Sequence, residues 1–130
     1  MIRAEKYHNP DADNYQQATA ALALYKAGDD GKATTFGVHP IVYLTLGVAG
    51  EAGEVADQLK KILRAGHMPE AMPADAHRLL ALELGDTLWY VARLADELGF
   101  DLSEIMAMNL EKLRARREKG TLAARAGGDA

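Results

Sequence analysis

The sequence predicts an all-α protein: four main helices in an antiparallel bundle, completed by oligomerisation. Three observations carry that prediction. Apolar residues recur at helical steps of three and four through most of the chain, no stretch gives a convincing strand, and glycine or proline breaks fall where helices of ordinary length end. At 130 residues the chain holds one hydrophobic core rather than two.

Taken in order, residues 1–13 read as an irregular leader, because the segment is polar and Pro10 disfavours helix at Asn9. A first helix is expected from Asn14 to Lys26, stopped at Gly28. "GDDGKATTFGVHP" reads as a loop, rich in glycine and polar residues. The second helix runs from Pro40 or Ile41 to Arg64, with Pro40 suited to its first turn and Leu44, Val48, Ala52, Val55, Leu59 and Ile62 forming one apolar stripe. Gly47, Gly50 and Gly53 weaken that helix by roughly 1 kcal/mol each, so close helix packing or close ligand approach should offset them.

"AGHMPEAMPAD" breaks the chain before a third helix, Ala74 to Leu98, with Asp75 as a candidate cap. From Leu79 to Ala95 this helix is apolar nearly all round, which belongs at a bundle centre or in a subunit interface. Gly99 stops it, and Asp101 with Glu104 forms a capping box for a fourth helix reaching Lys119. Leu102, Ile105, Met106 and Leu113 mark the inward stripe of that helix. Residues 14–120 thus form a single domain, and 121–130 read as a disordered tail.

Composition narrows the function. The absence of cysteine excludes disulfide frameworks, thiolate zinc sites and thiol catalysis. No apolar run is long enough to span a bilayer and the polar start is unlike a signal peptide, so a cytoplasmic protein with no membrane partner is expected. A net charge of −4, with 15 basic against 19 acidic residues, argues against a nucleic-acid partner. His8, His39, His67 and His77 show no metal-ligand spacing, and no E-x-x-H pattern suggests a di-iron bundle. Ser103 reads as a helix-start residue, not a nucleophile.

The chemistry must therefore come from carboxylates. Glu51 and Glu54 are neighbours on the second helix, and Glu83 and Asp86 on the third. Each pair has a bland reading as a solvated edge or as ion pairs with Lys60, Lys61 or Arg93, yet the third helix offers Glu83 and Asp86 little solvated face. Buried carboxylates need a cation, a hydrogen-bond network or a raised pKa. Two such pairs on antiparallel helices can converge into the oxygen-rich ligand set that Mg²⁺ or Mn²⁺ prefers. On the fourth helix Asn109, Lys112 and Arg116 share the core-facing side, either snorkelling out of the stripe or meeting something anionic, while Arg114, Arg117 and Lys119 point elsewhere. Metal-binding acids with cationic donors suit a polyphosphate.

Glu51-x-x-Glu54, the interval 55–82, Glu83-x-x-Asp86, and Asn109-x-x-Lys112-Leu113-x-x-Arg116 together resemble the MazG-like nucleoside triphosphate pyrophosphohydrolases. The wording "LGVAGEAGEVADQLKK" and "ELGDTLWYVARLADELG" is similar to that family, over about Asn14 to Gly120. The resemblance implies Mg²⁺-dependent hydrolysis of a (deoxy)nucleoside triphosphate to the monophosphate and pyrophosphate, in nucleotide-pool house-cleaning. By that likeness Glu51, Glu54, Glu83 and Asp86 hold the metal, Lys112 and Arg116 engage phosphates, and Asn109 lies near the substrate. Glu51 is the candidate to orient the attacking water, with Lys61 a further phosphate contact. Tyr15, Gln16 and Thr19 face either the base or ordinary packing, and Trp89 and Tyr90 read as core or interface aromatics. Some members carry an acidic residue where this chain has Gly50, which leaves the general base unassigned. A homodimer or homotetramer is expected. The alternatives are a catalytically silent nucleotide-sensing or assembly module, and an enzyme for a guanosine alarmone or phosphoribosyl-ATP.

Overall fold

The computed structural model describes residues 9–27 and 32–120. Four helices dominate it: α1 (Pro10–Ala20), α2 (Pro40–Arg64), α3 (Ala74–Glu97) and α4 (Leu102–Glu118). Two two-residue strands, β1 (Lys26–Ala27) and β2 (Ala33–Thr34), pair antiparallel in the segment read as a loop. The predicted all-α class holds, with this small ribbon added.

Helix α1 begins earlier and ends earlier than expected. Asn9 is extended, as a residue before proline should be, and its Oδ1 accepts from the Asp11 and Ala12 amides at 3.1 and 3.2 Å. Pro10 thus opens the helix instead of delaying it, so the leader does not extend to residue 13. The rest of that leader and the 121–130 tail lie outside the described residues. After Ala20 the chain turns, and Lys26 on β1 pairs with Glu97 of α3 at 2.6 Å. Thr34 closes the loop beyond β2: its hydroxyl bonds the Val38 carbonyl at 2.9 Å and accepts from the Val38 amide at 3.2 Å.

Pro40 starts α2 as predicted, capped by His39, whose Nδ1 accepts from the Ile41 amide at 3.2 Å. Asp75 is not the cap of α3; Pro73 holds that position, and Asp75 lies in the first turn. Gly99, at φ +78°, ends α3 in a Schellman arrangement, with the Phe100 amide on the Ala95 carbonyl at 2.9 Å. The capping-box contact expected at α4 is present, the Asp101 amide donating to Glu104 Oε2 at 2.8 Å.

The α2–α3 pair is the main packing unit, antiparallel because residues 65–73 turn the chain back on itself. Tyr43 meets Tyr90 at one end of the pair and Gln58 meets Glu83 further along. Gly47 allows this approach: an added Cβ would stand 2.2 Å from two ring carbons of Tyr90. The close packing anticipated for the α2 glycines is therefore real at Gly47, while Gly50 and Gly53 have open space around them.

The apolar stripe of α2 is buried at Leu44 and Ile62, half-buried at Val48 and Val55, and exposed at Ala52 and Leu59. Only Ala92, Arg93 and Ala95 are buried on α3. Leu79, Leu82, Leu84 and Leu88 stand exposed, so one chain does not cover the all-round apolar stretch. Helix α4 packs chiefly on α1 and α3, burying Leu102, Ser103 and Ala107 and leaving Met106 of the expected stripe exposed.

Candidate metal centre

The antiparallel register of α2 and α3 brings carboxylates from both helices together. Glu51, Glu83 and Asp86 each offer an oxygen, and the three atoms lie within 4.8 Å of one another. Among the described residues no other trio of acid or histidine side chains is arranged this way. Glu54 is exposed and falls outside that trio, although its charge still acts on Glu51. The two expected pairs thus meet as three oxygens, with Glu54 outside the trio.

The electrostatics are one-sided. Burial, then Asp86, Glu83 and Glu54, push the Glu51 carboxyl above its ordinary range. No α4 cation is among the charges that shift Glu51. Gln58 Nε2 reaches Glu83 Oε1 only at 3.5 Å, too long to neutralise anything. An oxygen-only set in which burial and three neighbouring carboxylates push Glu51 up fits a hard divalent cation, which supplies positive charge there.

The ion pairs considered for these carboxylates go elsewhere. Asp57 takes both lysines: Lys60 is paired with it, and Lys61 sits at 2.8 Å. These bonds hold Asp57 at about 2 and push Lys61 up. Lys61 remains exposed on the side where Glu54 and Glu83 act on it. Arg93 does not approach Glu83 or Asp86 in this way; it is 2% exposed and faces α1 and Asp96. Asn109 and Lys112 are exposed on α4, and Arg116 is half-buried; none of the three is in the acidic trio.

On α1 the residues divide. Gln16 and Thr19 are buried in bonds to Phe100, Leu102 and Arg93, so they do not face the carboxylates. Tyr15 is half-buried, and burial followed by the Asp86 charge pushes its phenol up.

An aromatic chain escaped the sequence reading. Phe36, Tyr43, Tyr25, Trp89 and Tyr90 follow one another with ring centroids 5.0 to 6.1 Å apart. A cleft of about 220 Å³ opens there, lined by Leu22, Leu24, Tyr25, Phe36, Tyr43 and Trp89. The Tyr43 and Tyr90 hydroxyls lie 3.3 Å apart, and that bond, with burial and the charges of Glu51 and Asp86, pushes Tyr90 up to about 12. Tyr43 thus both lines the cleft and bonds Tyr90, whose phenol feels the charges of Glu51 and Asp86. The cleft's trace in the sequence is that Tyr43 lies on one carboxylate helix and Trp89 and Tyr90 on the other.

Residues 42–121 match the MazG nucleotide pyrophosphohydrolase domain, an interval that contains all three converging carboxylates and all of α4. The Gene 37 protein of Mycobacterium phage L5 is 37% identical over 110 residues, covering 85% of this chain and 91% of that protein. No solved structure matches. No helix among the described residues is long and apolar enough to cross a membrane. With the domain spanning more than half the chain and the acidic trio lying inside it, the protein belongs to the MazG nucleotide pyrophosphohydrolase family.

Proposed function

We propose that the protein hydrolyses (deoxy)nucleoside triphosphates to the monophosphate and pyrophosphate in a Mg²⁺-dependent reaction that cleans the cytoplasmic nucleotide pool. The single observation behind this reading is the meeting of Glu51, Glu83 and Asp86 oxygens within 4.8 Å, with only acidic charges shifting Glu51. These three residues, with Glu54 alongside, would hold Mg²⁺, or Mn²⁺ in its place. When bound, the ion supplies charge neutralisation of the triphosphate and polarises the α-phosphorus.

The chain's own groups do the rest. A Glu51 carboxylate oxygen orients the attacking water and takes its proton. Glu54, exposed beside it, keeps the water on the carboxylate side. The new P–O bond forms as the bond to the β-phosphate oxygen breaks, and pyrophosphate leaves toward Lys61, Lys112 and Arg116, with Asn109 donating to the substrate. The base lies toward the cleft of Phe36, Tyr43 and Trp89.

The active form is a homodimer or homotetramer. Val42, Leu46, Leu79, Leu82 and Leu88 are between 43% and 67% exposed on the two carboxylate helices, and a second subunit removes such surface from water at about 25 cal/mol per Å². Light scattering decides the number of subunits, and a monomer at micromolar concentration would count against it.

The decisive experiment measures pyrophosphate release from a panel of triphosphates with and without Mg²⁺. Expected are metal-dependent turnover in the parent and its loss in Glu54→Gln and Asp86→Asn at unchanged helicity. Metal binding with no turnover on any nucleotide, including an alarmone and phosphoribosyl-ATP, would leave a silent module.

A further inference from the structure

One wall of the aromatic cleft is not helical. Tyr43 on α2 and Trp89 on α3 form the fixed side, while Leu22, Leu24, Tyr25 and Phe36 come from the connection between α1 and α2. Burial secures Tyr25, which is 4% exposed and sits 5.4 Å from the Tyr43 ring and 6.0 Å, edge-on, from Trp89. Phe36 has no such hold: it is 65% exposed, and its ring contact is with Tyr43 at 5.3 Å.

What carries Phe36 is the ribbon. Lys26 on β1 pairs with Thr34 on β2, the Thr35 amide donates to the Tyr25 carbonyl at 2.9 Å, and the Phe36 amide donates to Thr34 Oγ1 at 3.3 Å. The ribbon is in turn held to α3 by the ion pair of Lys26 Nζ with Glu97 Oε1 at 2.6 Å. That oxygen is buried and takes no hydrogen bond from any other described residue. Two-residue strands have too few ladder bonds to hold a position by themselves, and removing either partner of a pair this far from water leaves a charge uncompensated. The cleft is joined to the carboxylate helices through Tyr43, whose hydroxyl lies 3.3 Å from that of Tyr90, one helical turn beyond Asp86 on α3.

We infer that Lys26 and Glu97 are positioning residues of the base subsite: their ion pair pins the ribbon to α3 and so holds Tyr25 and Phe36 as the wall facing Tyr43 and Trp89, where a nucleotide base stacks. This rests on the function proposed above, which puts the base toward the cleft, and it adds two charged residues that touch no substrate. The pair acts on the base and leaves the triphosphate end to the carboxylates.

Trp89 is the chain's one tryptophan, so its emission reports on the cleft directly. The test uses the full chain with Mg²⁺ and two probes: the α,β-imido analogues of the four deoxynucleoside triphosphates, and inorganic tripolyphosphate, which has no base. In the parent, an analogue should quench Trp89 on binding and tripolyphosphate should not. Glu97→Gln and Lys26→Met should each weaken the tightest analogue roughly tenfold, the size of one lost stacking contact, and leave tripolyphosphate at its parent affinity. Trp89 emission of the unliganded variants should shift to the red as water enters. The exchanged pair, Lys26→Glu with Glu97→Lys, puts opposite charges back across the same gap and should recover much of both signals.

A purely structural pair would lower the melting temperature while the variants, still folded, bound the analogue as the parent does. That result overturns the inference. So does an equal loss on both probes, or an analogue that binds the parent without altering Trp89 emission, and in each case the hydrolytic reading stands. If Glu97→Gln does not fold, Lys26→Met carries the same test. A parent that binds neither probe takes down the proposed function, and this inference with it.

Discussion

Replacing Gly47 by alanine tests the packing that brings the carboxylates together. The new methyl would stand 2.2 Å from two ring carbons of Tyr90 and 2.8 Å from a third. Carbon atoms rest about 3.5–4.0 Å apart, so the ring must move by more than 1 Å. Overpacking of this kind costs about 1–3 kcal/mol. Displacing the ring also breaks the 3.3 Å contact between the Tyr43 and Tyr90 hydroxyls, worth about 1 kcal/mol. Against this, alanine gains about 1 kcal/mol over glycine inside a helix. The net expectation is a loss of about 1–3 kcal/mol, or roughly 3–5 °C in melting temperature per kcal/mol for a chain of this size. Thermal unfolding followed by circular dichroism reads it directly. Gly50→Ala and Gly53→Ala are the controls, since nothing lies within 4 Å of an added Cβ, and each should gain the helix term. A Gly47→Ala protein as stable as its parent would refute the reasoning, and a loss at Gly50 or Gly53 would reveal a second subunit over that face.

Further outcomes follow from the electrostatics and from the bonds between Asp13 and Ser103. Because the Glu51 carboxyl is raised in the fold, the folded protein keeps a proton that the unfolded chain has released, so metal-free stability falls as pH rises from about 4.5 through the folded value. Glu51→Gln should therefore be more stable than the parent at pH 8 in EDTA and indistinguishable from it near pH 4; equal melting at both pH values would contradict this. Saturating Mg²⁺ should raise the parent's melting temperature more at pH 8 than at pH 5, because its ligands must be ionised to bind. Asp13→Ala leaves the buried Ser103 amide and hydroxyl without the partner they have at 3.0 and 2.9 Å and should cost about 2–3 kcal/mol by chemical denaturation, whereas Asp11→Ala, exposed on the same helix, should cost far less.

The sequence by itself determined the helices and the order of the chemical groups along them. Pro40, Gly99 and the Asp101–Glu104 pair mark their boundaries because starts and stops are settled by local hydrogen bonding and backbone geometry, which neighbouring residues control. Pro10 shows one limit: the residue that forbids helix before it also begins one, and the choice depended on Asn9 as a cap; the early end of α1 at Ala20 and the cap of α3 at Pro73 are others. Motif spacing likewise put acidic pairs one turn apart on two helices. Tertiary structure alone decided which oxygens meet. Glu51, Glu83 and Asp86 converge and Glu54 does not, because the meeting depends on the rotation and crossing of α2 against α3, which the Gly47–Tyr90 contact sets across residues distant in sequence. Arg93, read beside Glu83 and Asp86 as a possible ion-pair partner, turns instead into α1, where a hydroxyl and a carbonyl are fixed and a hydrated carboxylate edge is not. A side chain's partner is a property of the packed faces, and one strand of sequence does not contain the face opposite.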